Sequence, residues 1–334
     1  MTNTATAATR ITEEDKPMFE HNDALSGFRL GIFGKGGSGK STVTVLLANQ
    51  LQTQGYAVNL VDADSTNVGL HHALGLDRPP DPLIDYFGGM VFSGGAVTCP
   101  VDDPAPLAGA NLSLNSLPEN YWARTPSGVI LLTLGKISDK GPGAGCDGPI
   151  AKIARDLTIT TDHPSPVTLI DFKAGFEDSA RGVLSRIDLA LVVVDPSIAA
   201  VEMALSMKRM INDIRDGAVP ATAHLDDVNQ VTTANKVFSE TTTRDVAVVL
   251  NRIATSSAED IICDRLDDYG VPVLGVIEHS ETISNAWMLG EPLDLLPQMD
   301  AMELVVARLE SLCNAVPQPD STHGQATRQV EMGT

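Results

Sequence analysis

The sequence predicts an α/β fold: one doubly wound, mostly parallel sheet of about seven or eight strands flanked by helices. Three observations predict it. First, the apolar run Phe28-Arg29-Leu30-Gly31-Ile32-Phe33 leads into a glycine-rich stretch and then into apolar residues at helical spacing, Val43, Leu46, Leu47 and Leu51. Second, short apolar runs recur along the chain and end at Asp62, Asp171, Asp195, Asn251 and Glu278, as strands of open parallel sheets do where ligands bind. Third, 334 residues at 43% apolar content can fill a sizeable core, and no internal repeat is found.

The stretch between the first strand and the first helix is Gly34-Lys35-Gly36-Gly37-Ser38-Gly39-Lys40-Ser41-Thr42. It fits G-x-x-x-x-G-K-[ST] in strand–loop–helix context, which a phosphate-binding loop needs. Glycines let several backbone N–H groups point at one phosphate, and the helix N-terminus adds partial positive charge. Gly34, Gly36, Gly37, Ser38, Gly39, Lys40, Ser41 and Thr42 are therefore the candidate nucleotide-binding set. Lys40 would reach the β- and γ-phosphate oxygens, and the Ser41 hydroxyl would ligate Mg²⁺. The competing reading is a glycine-rich turn without a ligand.

Composition excludes several functions. Net charge is −20, from 43 acidic against 23 basic residues, so non-specific nucleic-acid binding is not expected. No run approaches the roughly 18 apolar residues of a membrane span. Met1 to Lys16 is polar, without the apolar core of a secretion signal. The four cysteines are widely spaced and suggest no disulfide framework. A cytoplasmic location is the expectation.

Lys35 is not required by ordinary phosphate loops. With it, the loop resembles the deviant Walker A signature K-G-G-x-G-K-[ST] of the P-loop ATPases (SIMIBI type) that include MinD, ParA, the nitrogenase iron protein and CooC. The resemblance covers nearly the whole chain from residue 28 to 313. It implies ATP as substrate and a homodimer closing face to face over two nucleotides. Lys35 would then reach the partner's phosphates as an in-trans cation; the alternative is a solvated loop lysine.

Residues 1–26 read as a disordered tail and the ATPase domain as residues 27–313. Ala57 to Val61 is the second strand and delivers Asp62-Ala63-Asp64. The resemblance implies that Asp64 orients the attacking water and that Asp62 supports the Mg²⁺ water shell. For either aspartate, a helix cap at a strand end is the alternative. His71 and His72 point about 100° apart on a helix and favour an ordinary pair over a metal site. Residues 77–126 read as a loop-rich excursion, with short helices and a strand near Leu112 to Leu117.

Val129 to Ile137 is a strand, followed by Gly141-Pro142-Gly143-Ala144-Gly145-Cys146-Asp147-Gly148-Pro149 and a helix over Ile150 to Leu157. This stretch resembles the CooC branch, ATPases that help insert nickel into carbon monoxide dehydrogenase and typically carry "LLxxGKI…G-x-G-C-x-C-P". The branch places two cysteines per protomer at the dimer interface, a four-thiolate site suited to Ni²⁺ or Zn²⁺. Here Cys146 matches the first cysteine, but Gly148 stands where the second belongs. Three readings of Cys146 follow: a metal ligand, a packing residue and a redox thiol.

Val167 to Asp171 is a buried strand ending in the Walker B acid, and Asp171-Phe172-Lys173-Ala174-Gly175 resembles the family's switch II. Asp171 would hold Mg²⁺ through water. CooC proteins usually have an acid where Lys173 stands. No cysteine follows this switch, which argues against an iron–sulfur electron donor. Ile187 to Val194 is the next strand. Met203, Met207 and Met210 follow at helical spacing, read as core packing rather than a metal relay. Residues 217–245 read as an irregular polar insertion. Val246 to Leu250 is a strand ending in Asn251-Arg252; by resemblance the Asn251 amide reads the adenine edge, with Arg252 beside it. Val271 to Ile277 is the last strand, and Glu278 to Ile283 resembles the loop that flanks the base in the family. A helix over Ala301 to Leu312 closes the domain, and 314–334 reads as a disordered tail.

The resemblance implies an ATP-driven dimer switch that serves metallocentre maturation, with carbon monoxide dehydrogenase or another metalloenzyme as client. The alternatives are a MinD/ParA-type positioning or scaffold protein, and a CooC relative serving another client without metal binding.

Overall fold

The structure, a computed structural model, describes residues 23–136, 147–161, 163, 165–294 and 296–315. In chain order the first half comprises β1 (Arg29–Gly34), α1 (Lys40–Thr53), β2 (Val58–Ala63), α2 (Leu70–Ala73) and α3 (Leu83–Tyr86). β3 (Asn111–Ser113), β4 (Ala123–Arg124), β5 (Ile130–Thr133), α4 (Gly148–Asp156), β6 (Thr158–Thr160) and β7 (Val167–Phe172) follow. The second half runs through α5 (Glu177–Ala180), β8 (Leu189–Val194), α6 (Ile198–Arg215), α7 (Val228–Ser239), β9 (Asp245–Ile253) and α8 (Ser256–Asp267). It ends with β10 (Val273–Glu278), α9 (Glu281–Leu289) and α10 (Met299–Ala315).

The main sheet has eight strands in the order β10-β9-β8-β1-β7-β2-β5-β4, all parallel except the edge strand β4. β3 and β6 form a separate parallel pair. Strands β2, β5, β7 and β8 are buried at every residue, as the continuous apolar runs of a two-sided parallel sheet require. Alternation along the strands divides the core. Leu30, Ile32, Leu60, Leu131 and Leu169 pack with α1 and α10 on one face. Phe33, Ile130, Leu132, Ile170 and Phe172 pack with α4 and α6 on the other. The rings of Phe33 and Phe172 stack with centroids 4.7 Å apart, joining the ends of β1 and β7 next to the phosphate loop.

Register sets the site. Asp62 on β2 pairs with Asp171 on β7 and with Thr133 on β5, so two aspartates stand level at the carboxyl edge beside Gly34. Both lie inside their strands, because the runs extend further than their apolar residues alone indicate.

Several expectations need correction. Leu25, assigned to the tail, is fully buried, and the Gly27 N–H donates to the Ser165 carbonyl at 3.1 Å. The packed domain therefore reaches back beyond residue 27. The supposedly irregular 217–245 contains the 12-residue helix α7, capped by Asp227, with Ala234 and Val237 buried beneath polar neighbours. A narrow apolar stripe suffices for a helix on the surface. The strand expected near Leu112 to Leu117 ends at Ser113. Met207 is buried and Met203 and Met210 pack against the core, as read. The remainder of the two tails, 1–22 and 316–334, lies outside the described residues.

Candidate active site

β1 delivers the chain to Gly34 and α1 begins at Lys40. Between them Gly37 and Gly39 take left-handed φ of 85° and 91°, which a side chain would strain. A β-carbon added at Gly37 would meet nothing within 4 Å, so the loop's outer face is open. The N-cap Gly39 offers no side-chain acceptor, and the first N–H groups of α1 stay available to an anion. The Ser38 Oγ is buried without a hydrogen-bond partner among the described residues. These features fit a phosphate group. The loop borders a cavity of about 480 Å³, within the range of small-molecule sites.

Lys40 is buried, and its ammonium lies 3.5 Å from Asp64 Oδ2. The Ser41 Oγ donates to Asp171 Oδ2 at 2.7 Å and accepts from Asn67 Nδ2 at 2.8 Å. Thr44 Oγ1 lies 3.3 Å from Asp171 Oδ1. Asp171 is fully buried; burial pushes its carboxyl above the ordinary range against the pull of Lys40 and Ser41. A hydroxyl and a buried carboxylate side by side are hard oxygen donors. The pair fits Mg²⁺.

The two aspartates after β2 face different ways. Asp64 borders the cavity. Its Oδ1 accepts from Thr66 N at 2.9 Å, Thr66 Oγ1 at 2.7 Å and Asn67 N at 3.1 Å, leaving Oδ2 toward Lys40. Burial acts to raise its pKa, but the Thr66 bonds, Lys40 and Asn67 together hold it below the usual value. Asp62 does not border that cavity. Lys136 grips it through Asp62 Oδ1 and Oδ2, both at 2.8 Å, in a smaller cavity of about 250 Å³ behind the strand end. Burial raises its pKa to about 7 despite Lys136. Asp62 is thus tied to a lysine that no sequence reading assigned.

Asn251 and Arg252 reach the loop from the end of β9. Asn251 Nδ2 donates to the Ser38 carbonyl at 2.7 Å and would collide with any β-carbon at Gly39. The amide expected on the adenine edge therefore braces the phosphate loop while also bordering the cavity. Among the described residues Arg252 is the non-glycine residue with positive φ, 61°, and its NH1 donates to the Gly37 carbonyl at 2.8 Å. Such backbone costs on the order of 1 kcal/mol or more and persists where a site needs the geometry. Glu278 lines the opposite wall with Ser280 and Trp287, whose Nε1 donates to Thr42 Oγ1 at 2.9 Å. Lys35 is exposed beside the cavity, and its ammonium has no acidic partner among the described residues. Asn67, Thr66 and Trp287 were not foreseen; their side chains are ordinary until the fold gathers them.

The profile of the CobQ/CobB/MinD/ParA nucleotide binding domain matches residues 32–293. The chain belongs to this CobQ/CobB/MinD/ParA family. An uncharacterised ATP-binding protein of Methanocaldococcus jannaschii is 31% identical over 184 residues, 54% of this chain and 72% of that protein. The carbon monoxide dehydrogenase accessory protein CooC of Rhodospirillum rubrum is 26% identical over 226 residues, 67% of this chain and 79% of its own. Among solved structures, the septum site-determining protein MinD of Pyrococcus horikoshii, in complex with Mg-ADP, superposes with a TM-score of 0.54 at 19% identity. That match covers 85% of this chain and 96% of MinD, and it shows the shared fold.

Within this CobQ/CobB/MinD/ParA domain, a second polar cluster lies behind the nucleotide cavity. Asp147, just before α4, accepts from Lys173 Nζ at 2.7 Å, Arg181 NH1 at 2.8 Å and Ser65 Oγ at 3.1 Å. Lys173, where an acid was expected by resemblance, therefore has a carboxylate waiting. Burial would raise the Asp147 pKa, but Lys173, Arg181 and Ser65 hold it below its ordinary value. Gly148 packs directly on Cys99: an added β-carbon would lie 2.5 Å from the sulfur and 2.7 Å from the Cys99 Cβ.

Cys146 lies outside the described residues. The expected Ni²⁺ or Zn²⁺ site finds no support, since no group of three or more His, Cys, Asp or Glu among the described residues is placed to hold a metal. His71 and His72 stack on each other, ring centroids 4.0 Å apart. No described helix is long and apolar enough to cross a membrane.

Proposed function

We propose that this chain is an ATP-hydrolysing dimer switch that acts as an accessory factor to a metalloenzyme, with carbon monoxide dehydrogenase as the first client to test. The paired contacts Lys40–Asp64 and Ser41–Asp171 carry the reading, because both are poised for exchange. A bound Mg²⁺ would supply charge neutralisation of the phosphates, held by the Ser41 hydroxyl and, through water, by Asp171. When triphosphate enters the loop, Lys40 leaves Asp64 for the phosphate oxygens. Asp64 Oδ1 stays fixed by Thr66 and Asn67, so Oδ2 is released to orient a water for in-line attack. Lys35, exposed at the cavity rim, adds its charge to the γ-phosphate of a second protomer.

The similarity to a carbon monoxide dehydrogenase accessory protein supports the client assignment. The net charge of −20 weighs against a DNA-gliding ParA-type role. The test is hydrolysis of ATP and solution mass with ATP for wild type, Asp64→Ala and Lys35→Ala. Expected is ATPase activity in wild type, an ATP-stabilised dimer in Asp64→Ala, and loss of both turnover and dimer in Lys35→Ala. A monomer in every nucleotide state would sink the dimer switch. Co-sedimentation with DNA or liposomes, in place of client capture, would favour the positioning reading.

A further inference from the structure

Two lysines approach the Asp62-Ala63-Asp64 segment from opposite sides. Lys40 comes from the nucleotide cavity and contacts only the Asp64 carboxylate, at 3.5 Å. Lys136 comes from the smaller cavity behind it, three residues beyond the end of β5. Its ammonium donates to Asp62 Oδ1 and Oδ2 and to the Asp64 backbone carbonyl, the last at 2.6 Å. Three acceptors use all three N–H donors of an ammonium. The Lys136 side chain is 12% exposed and Asp62 6%, so the pair is shielded from screening by solvent. Leu134 N–H adds a bond to the Asp62 carbonyl at 2.9 Å, fastening β5 to the same segment.

The charges make the arrangement asymmetric. Asp62, Asp64 and Asp171 cluster within reach of one another's fields, faced by Lys40 and Lys136. A triphosphate takes Lys40 away from this cluster. At that moment the backbone bearing Asp64 loses one of its two cations, and the carboxylates repel one another more strongly. Lys136 does not face the nucleotide cavity and has no reason to leave.

We infer that Lys136 is a positioning residue for hydrolysis: it holds the Asp64 main chain in place while Lys40 changes partners. This rests on the ATPase reading above. Lys136 does not line the nucleotide cavity. Its effect is on where the Asp64 Oδ2 stands when the attacking water arrives, so it belongs to turnover and not to nucleotide affinity.

The test compares Lys136→Met, which keeps length and removes charge, with the double variant Asp62→Asn/Lys136→Met. The double variant has no unpaired buried carboxylate and guards against simple misfolding. ATP binding is measured by calorimetry, turnover by phosphate release, and folding by thermal melting. Expected is a fall in kcat of about 10²-fold in both variants with nucleotide affinity within about twofold of wild type, the signature of a misplaced catalytic group. A folded double variant that turns over at the wild-type rate would overturn the inference and leave the ATPase reading standing. So would one whose loss lies in affinity alone. A wild type that binds ATP but never releases phosphate would overturn both.

Discussion

The nucleotide cavity and the flank formed by β5 and α4 share strands β2 and β7 yet are assembled differently. In the cavity, most binding groups are consecutive: the backbone from Gly34 to Thr42 makes the cradle, and α1 supplies its N-terminus. On the flank, the contacts that hold the cluster together join distant parts of the chain. Lys136 meets Asp62, Asp147 meets Ser65, Lys173 and Arg181, and Gly148 meets Cys99. The first region is a local motif that the fold merely presents. The second exists only once the sheet has formed, and it holds the two aspartate-bearing strand ends in place behind the motif. Binding chemistry can thus be written in one stretch, whereas its alignment is distributed.

The sharpest way to break this contrast is by substitution on either side. Lys40→Ala is expected to lower ATP turnover about 10³-fold, as removal of a preorganised cation from transition-state charge does. Lys173→Ala, which leaves Asp147 still paired with Arg181, should lower it far less in the same phosphate-release assay. Equal losses would mean that the flank takes a direct part in chemistry.

Asn251→Ala leaves the Ser38 carbonyl without its donor and should cost about 1–3 kcal/mol of nucleotide binding, read by calorimetry. On the flank, Gly148→Cys forces a side chain against Cys99 and should destabilise the protein by about 1–3 kcal/mol. Denaturant unfolding of Gly148→Cys, Cys99→Gly and the double variant should reveal strong coupling, with the double variant more stable than the two single effects predict. Simple additivity would show that the contact is not tight.

The smallest expected effect is on pH dependence. Burial pushes Asp178 up to about 6 despite Arg181, from an ordinary value of 3.8. The folded protein therefore holds that proton more tightly than the unfolded chain, and stability falls as pH rises between these values. Asp62 acts alike up to about 7. Asp64 and Asp147 act oppositely: their stabilisation is present above 3.8 and lost as pH falls below it. Unfolding midpoints of the nucleotide-free protein should decline from about pH 4 to 7, and Asp178→Asn should flatten the part below about 6. A slope unchanged by Asp178→Asn would mean that the group titrates elsewhere.

The same contrast explains what could be read from the chain. The mostly parallel sheet, the strand–loop–helix around Gly34 to Thr42 and the position of Asp62 and Asp171 near strand ends were legible because parallel strands bury continuous apolar runs and place their last polar residue at the ligand edge. Lys136 reads in sequence as the lysine of the LLxxGKI-like stretch without a partner or a role, and Cys99 as one cysteine in a loop-rich excursion. Helix α7 was hidden because its buried side is only Ala234 and Val237 among threonines and asparagines. The contact of Asn251 with the Ser38 carbonyl depends on β9 ending level with the loop, which a linear pattern does not encode.

Trp287 gives the molecule an optical gauge. The chain has two tryptophans, and this one sits in the wall of the nucleotide cavity with its indole N–H on Thr42, at the first turn of α1. Indole emission shifts with the polarity and bonding of that N–H, so occupancy of the loop is written into the protein's own fluorescence. Replacing Trp122 with phenylalanine would leave Trp287 as the sole emitter, and ATP arrival, hydrolysis and product release could be followed in real time without a dye.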